Sequence, residues 1–106
     1  MKSFTIFDVQ SNLGQDAVFN LMQNKFQNFS WRRGDSEMQG LYVSGSSPDG
    51  IHVKIWLSDS PTSLTVSFDD AWSNFADAEN LKQKFLNEIS LEIIPALGIL
   101  LKVTEG

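Results

Sequence analysis

Apolar and polar residues alternate with two different periods along this chain, and each change of period marks a boundary between elements. Apolar residues at every second position indicate a β-strand, and apolar residues three and four positions apart indicate an α-helix. The period-two pattern predicts strands at residues 3–9, 30–38, 41–47, 51–58, 63–69 and 99–103. The helical pattern predicts one helix that ends near residue 28 and a second that starts near Asp77.

The first helix carries a single apolar stripe and a recognisable start. The segment 12–15 resembles a capping box, in which the Asn12 side chain accepts a backbone hydrogen bond and the Gln15 side chain reaches back. The strand before this helix has apolar residues on both faces, so we expect it inside the sheet rather than at an edge. The apolar stripe consists of Val18, Leu21, Met22, Phe26 and Phe29.

The second helix has apolar residues at four-residue intervals. Its stripe consists of Leu81, Phe85, Ile89 and Ile93, with Ala78 and Leu86 at its sides. Pro95 cannot donate a helical hydrogen bond, so we expect the helix to break nearby. Residues 90–98 fit either the end of this helix or the start of a strand. The chain then turns at Gly98 into the last strand, which we expect beside the first.

Residues 41–58 have the pattern of a β-hairpin with one apolar and one polar face. The turn Pro48-Asp49-Gly50 supplies a proline at its first position and a glycine for positive φ. With a glycine bulge, Val43 lies opposite Ile55, and the alternation indicates one packed face and one wet face. The packed face consists of Leu41, Val43, Ile51, Val53, Ile55 and Leu57, and the wet face of Tyr42, Ser44, Ser46, His52, Lys54 and Trp56.

Two helices with one apolar stripe each are enough to cover one face of a sheet. We therefore predict an α+β fold: a two-layer sandwich in which two helices lie on one face of a mainly antiparallel sheet, in the order β-α-β-β-β-β-α-β. A chain of 106 residues has the usual size of one domain, so residues 1–106 are expected to form a single α+β domain. Its 42% apolar and 11% aromatic content is typical of a folded globular protein.

Composition and charge exclude several kinds of chemistry. The chain has no cysteine, which rules out disulfides, thiolate nucleophiles and cysteine-based zinc sites. Its net charge is −5, and without a basic stripe we expect no nucleic-acid binding. The N-terminal residues lack the continuous apolar stretch of a signal peptide, and no apolar run approaches the ~18 residues that cross a bilayer. We expect a cytoplasmic protein that does not bind membranes.

A lone histidine is the candidate for nucleophilic catalysis. His52 lies across the predicted hairpin from Ser46, with Asp49 in the turn. A hairpin end offers no cleft for a nucleophile and its oxyanion, and the chain has no GxSxG turn. We therefore predict a solvated surface histidine and no catalytic residue.

An acidic group is the candidate for metal binding, and it consists of Asp69, Asp70, Asp77 and Glu79. Its spacing matches no calcium-binding loop. Asp77 and Glu79 instead favour the positive end of the second helix. The glycines form no phosphate-binding motif. We predict no metal site and no cofactor.

The tripeptide Arg33-Gly34-Asp35 spells a cell-adhesion motif. Adhesion requires an extracellular protein and a flexible exposed loop, whereas the pattern next to Trp31 predicts a strand or turn. Alternating charges of this kind protect a sheet edge from pairing with other chains. The sequence therefore predicts edge-strand charges here rather than an adhesion site.

The wet face of the hairpin is the main candidate for a functional surface. Tyr42 lies opposite Trp56 in the predicted register, and Tyr, Trp and Arg are the residue types enriched at binding hot spots. Two alternatives stay open: the aromatic pair only stabilises the hairpin, or another part of the chain covers this face. The predicted partner-binding residues are Trp31, Arg32, Arg33, Tyr42, His52, Lys54 and Trp56, with one set from residues 31–33 adjoining the hairpin.

From this surface we expect a small, soluble, non-enzymatic protein-interaction module of adaptor, immunity or chaperone type. Its partner is expected to be another protein or a second copy of the chain, bound through the wet face or an edge strand. The alternative is a small-ligand-binding domain or minor enzyme with a pocket between the sheet and the helices. The polar groups of such a pocket would come from the strand ends, since the helix stripes are apolar.

Overall fold

A single antiparallel sheet contains all the predicted strands. The computed structural model describes residues 3–58, 60–70, 72 and 76–106. In chain order its elements are β1 (Ser3–Ser11), α1 (Gln15–Lys25), β2 (Ser30–Ser36), β3 (Gly40–Ser46), β4 (Ile51–Trp56), β5 (Thr62–Phe68), α2 (Ala78–Glu88), a π-helical segment (Ile89–Ile93), α3 (Ile94–Leu97) and β6 (Gly98–Glu105). The strand order is β2-β3-β4-β5-β1-β6, and all neighbours are antiparallel. The predicted α+β class is confirmed, with β1 inside the sheet and β6 beside it.

The helices and one face of the sheet share a hydrophobic core. Burial of this apolar surface is the main term that stabilises the fold. The residues of the predicted stripes are buried or packed against the core except Leu81, which is 43% exposed, and on the sheet Leu41 is 39% exposed. The first helix is shorter than predicted: it ends at Lys25, and Phe26 and Phe29 enter the core from the segment that follows it. The core includes Val18 and Met22 from α1, Phe26 and Phe29 after it, Phe85, Ile89 and Ile93 from the second helical region, and Val43, Ile51, Val53 and Ile55 from the hairpin.

The β3–β4 hairpin has the predicted register, with Val43 opposite Ile55. Its turn is closed by hydrogen bonds between Ser47 and Ile51, in which the Ser47 N–H donates to the Ile51 carbonyl at 2.9 Å. The Ser47 hydroxyl also accepts from the Ile51 N–H at 3.0 Å. Gly50 has φ +94°, the left-handed conformation that glycine adopts without strain. The turn therefore fixes which side chains of both strands reach the core.

Gln15 does not cap α1, contrary to the prediction. Gly14 is the N-cap residue, and no side chain caps this helix. Instead, Gln15 Nε2 donates hydrogen bonds to the backbone carbonyls of Gly34 (2.8 Å) and Tyr42 (3.0 Å). A primary amide has two N–H donors, so one side chain can serve both acceptors. Gln15 thereby joins the start of α1 to β2 and β3.

Pro95 widens the second helical region rather than breaking it. The Ile94 N–H donates to the Ile89 carbonyl across the π-helical segment, and α3 continues to Leu97 with the proline in its first turn. A π-turn accommodates a residue that lacks an N–H and whose ring would contact the carbonyl four residues earlier. The predicted break is therefore wrong, and the chain stays helical up to Gly98.

Two glycines in the β2–β3 ladder are covered by aromatic rings from the opposite strand. The Trp31 ring occupies the space that a Cβ atom on Gly45 would need, and the Tyr42 ring does the same at Gly34. Each ring lies over its own register partner, since Trp31 pairs with Gly45 and Tyr42 with Gly34. The two rings lie on opposite faces of the sheet and cover backbone that glycine leaves bare.

Replacing Gly45 with alanine should destabilise the fold. The new methyl group overlaps Trp31, whose ring stacks on Phe29 with centroids 5.3 Å apart and has little freedom to move. Overpacking of this kind costs about 1–3 kcal/mol, measured as a lower free energy of unfolding in urea. Ser30→Ala, an exposed site on the same strand pair, should stay within about 0.5 kcal/mol of the parent. Equal stabilities for Gly45→Ala and the parent would contradict this account of the packing.

Candidate binding surface on the open sheet face

The face of the sheet opposite the helices carries polar and aromatic side chains that lie outside the hydrophobic core. We call it the open face. Along β4 and β5 buried residues alternate strictly with partly exposed ones, because successive side chains of a strand point to opposite faces. At its centre the open face consists of Tyr42, Ser44 and Ser46 on β3, His52, Lys54 and Trp56 on β4, and Ser63, Thr65 and Ser67 on β5.

An aromatic pair capped by a lysine lies at the centre of the open face. The Tyr42 and Trp56 rings are 5.1 Å apart and tilted by 58°, as their cross-strand register predicts. Lys54 Nζ lies 4.5 Å from the centroid of each ring, which is within the range of a cation–π interaction. Among the described residues no carboxylate forms an ion pair with Lys54. The ammonium group is therefore held in position by the rings, and no carboxylate of the described residues neutralises its charge.

Arg32 adds a second cation to the open face. It lies opposite Ser44 in the β2–β3 ladder, and its Nε donates to the Ser44 hydroxyl at 3.2 Å. Ser44 is also the register partner of Lys54. Three neighbouring strands therefore bring two basic side chains to the same side of the sheet. Like Lys54, Arg32 forms no ion pair with a carboxylate of the described residues.

Trp31 and Arg33 lie on the helix side and do not adjoin the open face. Trp31 stacks on Phe29 and donates from Nε1 to the Phe26 carbonyl at 2.9 Å. Arg33 lies on the same side and contacts two residues of α1, as described below. Of the seven sequence-predicted residues, the structure thus brings together Arg32, Tyr42, His52, Lys54 and Trp56.

The Arg33-Gly34-Asp35 tripeptide lies within β2, the strand at one edge of the sheet. Arg33 Nη1 is 2.6 Å from Asp16 Oδ1, and the guanidinium lies over Phe19 at 4.9 Å from the ring centroid. The arginine is therefore directed toward α1, and the glycine lies beneath the Tyr42 ring. This arrangement differs from the flexible loop that adhesion requires, and it agrees with the predicted charged edge strand.

His52 bridges a serine and an aspartate on the open face. Its Nδ1 lies 2.9 Å from Ser46 Oγ and its Nε2 lies 2.9 Å from Asp69 Oδ1. The acid is Asp69, which follows β5, and not the predicted Asp49. The Asp49 carboxylate instead accepts a hydrogen bond from the Ser47 hydroxyl inside the turn.

Ser46, His52 and Asp69 are the residue types of a catalytic triad. The two imidazole nitrogens, however, contact the opposite partners from those they contact in serine proteases. An aspartate that accepts from Nε2–H leaves Nδ1 of a neutral imidazole as an acceptor for the serine hydroxyl. In serine proteases the aspartate contacts Nδ1 and the serine contacts Nε2. The arrangement can take a proton from Ser46, but a triad also needs donors for an oxyanion. Backbone N–H groups of a paired strand are already used in the ladder.

A shallow depression of about 370 Å³ lies between the histidine relay and the aromatic pair. It opens on the outside of the sheet. A smaller depression of about 140 Å³ lies between the sheet and α2, where the alternative prediction expected a pocket. The walls of the larger depression combine hydroxyl groups with one ammonium group and one indole ring, which suits a polar or anionic group. The lining residues are Ser44, Gly45, Ser46, His52, Val53, Lys54, Trp56, Thr65 and Ser67.

The acidic residues around the start of α2 are used structurally. Asp77 is the N-cap residue of α2, and its carboxylate accepts from Asn80 Nδ2 at 3.3 Å. Glu79 lies in the first turn, 3.6 Å from Lys82 Nζ. Both positions favour the positive end of the helix dipole. Within the ranges that the structure describes, no three His, Asp or Glu side chains are grouped to hold a metal ion.

Sequence reasoning missed Asp69 as the partner of His52. The two residues lie on β4 and just after β5, and the connection between these strands gives no turn signal as sharp as that of Pro48-Asp49-Gly50. The β4–β5 register, in which His52 lies opposite Ser67, therefore could not be derived by counting residues from a recognisable hairpin turn. The signal that was available is the period-two pattern of residues 63–69, which places odd-numbered residues on the polar side.

Comparison with known proteins gives this surface no assigned role. No protein-family model matches the chain, and no curated protein is detectably similar to it. In the described part of the chain, no helix has both the length and the apolar character needed to cross a membrane.

The His52–Asp69 contact should contribute little to stability. Both side chains are about two-fifths exposed, and exposed ion pairs are worth roughly 0.2–1 kcal/mol. A double-mutant cycle with His52→Ala and Asp69→Ala, followed by urea denaturation, measures the coupling. A coupling energy well above 1 kcal/mol would mean that the pair is a structural element rather than an adaptable part of the surface.

Proposed function

We propose that the protein is a non-enzymatic protein-interaction module of adaptor, immunity or chaperone type. It binds an acidic segment of a partner protein across the open face. The observation that carries this proposal is the partly exposed Tyr42–Trp56 pair with Lys54 fixed over both rings. Rigid aromatic residues next to a basic group are the composition of a binding hot spot.

The alternative of a purely structural aromatic pair explains less of the surface. A cross-strand aromatic pair stabilises a hairpin by roughly 0.2–1 kcal/mol, and it needs no uncompensated cation. Here Lys54 and Arg32 lack a carboxylate partner within the described residues, although the chain as a whole carries a charge of −5. A local cluster of cations on an acidic protein supports a partner that supplies carboxylates.

Local charge can outweigh net charge in such an interaction. At physiological ionic strength charges are screened over about 8 Å, so a bound acidic side chain interacts mainly with the nearest cations. Lys54 is pre-positioned by the two rings, which lowers the entropy lost when it forms an ion pair. The rings themselves offer apolar area beside the charge.

Reversing the charge of Lys54 should abolish partner capture. Lys54→Glu removes the cation–π contacts and places a carboxylate where the partner's carboxylate would bind, so repulsion replaces attraction. Proteins retained from lysate by the immobilised wild-type chain should be identified by quantitative mass spectrometry. Those that depend on the open face should be lost with both Lys54→Glu and Trp56→Ala.

Lys84→Glu is the matched control, because it makes the same change in net charge at an exposed position of α2. This variant should retain the proteins that Lys54→Glu loses. Circular dichroism should show that all variants are folded. If Lys54→Glu and Trp56→Ala retain the same proteins as the wild type, the open face is not the binding surface.

A second candidate function is acyl transfer from small esters in the depression on the open face. The Ser46–His52–Asp69 relay supports it. In this reaction Ser46 Oγ attacks the ester carbonyl while its proton passes to His52 Nδ1, and that proton then leaves with the departing alcohol. Water, deprotonated by the same nitrogen, cleaves the acyl–serine bond, which yields the acid and restores Ser46.

Hydrolysis of p-nitrophenyl acetate distinguishes this candidate from the first. The wild-type chain should accelerate release of nitrophenol, and Ser46→Ala should remove the acceleration because the attacking oxygen is lost. Ser63→Ala removes a hydroxyl on the same face but outside the depression, and it should leave the rate unchanged. Equal rates for the wild type and Ser46→Ala would eliminate the enzymatic candidate and leave the binding proposal intact.

A further inference from the structure

The sheet has two edges of opposite character, β2 and β6. β6 pairs with β1 on one side, and no strand of the described residues pairs with its other side. Its aliphatic side chains are strongly exposed: Ile99 by 65%, Leu100 by 43%, Leu101 by 55% and Val103 by 43%. An edge strand with free backbone groups and an aliphatic sequence is a template for another strand.

The β2 edge is protected from such pairing. It carries Arg32, Arg33 and Asp35 within seven residues, and charged side chains on an edge strand oppose pairing with another chain. Arg33 is held by Asp16 of α1 at 2.6 Å. Only the β6 edge therefore combines free backbone groups with apolar side chains.

We propose that β6 pairs antiparallel with β6 of a second copy of this chain, so that two six-stranded sheets join into one. Pairing of one edge with itself is two-fold symmetric and closed, whereas pairing of β6 with β2 would continue without end. The charges of β2 oppose that second arrangement. This inference does not depend on the function proposed for the open face.

The β1–β6 register places Ile99 on the open-face side, opposite Gln10, and Val103 on the helix side, opposite Phe7, so β6 exposes aliphatic side chains on both sides of this edge. In a two-fold pairing centred on Leu101, Leu101 lies opposite its own copy. Lys102, the one basic residue of the strand, does not face a second lysine, so no like charges are opposed. Leu101 is the residue that the β1–β6 register passes over at its bulge, and a bulged residue has backbone groups left unpaired by the ladder.

The symmetry also fixes the orientation of the two copies. A two-fold axis perpendicular to a sheet keeps each face on its own side. Both open faces therefore point the same way, and the helices of both copies lie together on the other side of the joined sheet. The residues of β6 in the contact are separate from those of the open face at β3 and β4. A dimer would therefore present two open faces at once.

Solution mass of the full chain tests the proposal. Sedimentation equilibrium over a wide range of protein concentration should give twice the chain mass for the wild type. Leu101→Lys should weaken dimerisation by more than about tenfold, because it places two like charges across the axis. Met38→Lys is the matched control: Met38 is 95% exposed in the β2–β3 turn, and the same change there should leave the dimer intact.

A cysteine cross-link tests the register, and the chain's lack of cysteine makes the experiment clean. Mild oxidation should link Leu101→Cys into a covalent dimer, since residues opposed across an antiparallel pair lie within disulfide range. Met38→Cys should not cross-link. A wild-type chain that is monomeric at every concentration would overturn the proposal, as would a Leu101→Lys variant that stays dimeric or cross-linking by Met38→Cys instead of Leu101→Cys.

Discussion

The rest of the structure depends on the register of the β3–β4 hairpin. Val43 opposite Ile55 directs the aliphatic residues of both strands to the helices and leaves Tyr42 opposite Trp56 on the other side. A slip of one residue would exchange these faces and place the aromatic pair in the core. The Ser47–Ile51 hydrogen bonds and the positive φ of Gly50 hold the register, so a turn of a few residues determines which side chains are buried and which are exposed.

The open face owes its order to contacts that cross several strands. Arg32 on β2 donates to Ser44 on β3, and Lys54 on β4 lies over Tyr42 on β3 as well as Trp56 on its own strand. His52 on β4 reaches Asp69 at the end of β5. Because most of these contacts link neighbouring strands, they restrain the side chains although the surface is partly exposed. Restrained side chains lose less conformational entropy on contact with a partner than a flexible loop does.

How much could be predicted from sequence depended on whether a local pattern specified the feature. The hairpin faces and the helix stripes were predicted correctly except at Leu41 and Leu81, since period two and period 3.6 are visible in single segments. The role of Gln15 was predicted wrongly because its acceptors, Gly34 and Tyr42, are distant in the chain. At Pro95 the missing N–H and the ring suggested a helix break, but a π-turn accommodates both and the helix continues. The side on which Trp31 and Arg33 lie required the β2–β3 register, and no sharp turn sequence like Pro48-Asp49-Gly50 joins those two strands.

The paired glycines and rings of β2 and β3 have an evolutionary consequence. The Trp31 ring fills the space above Gly45, and the Tyr42 ring fills the space above Gly34, so neither member of a pair can change size alone without a clash or a void. In homologous sequences positions 31 and 45 should therefore vary together, and so should positions 34 and 42. Such coupled substitutions would preserve the packing of β2 against β3, while the side chains presented on each face of the sheet change.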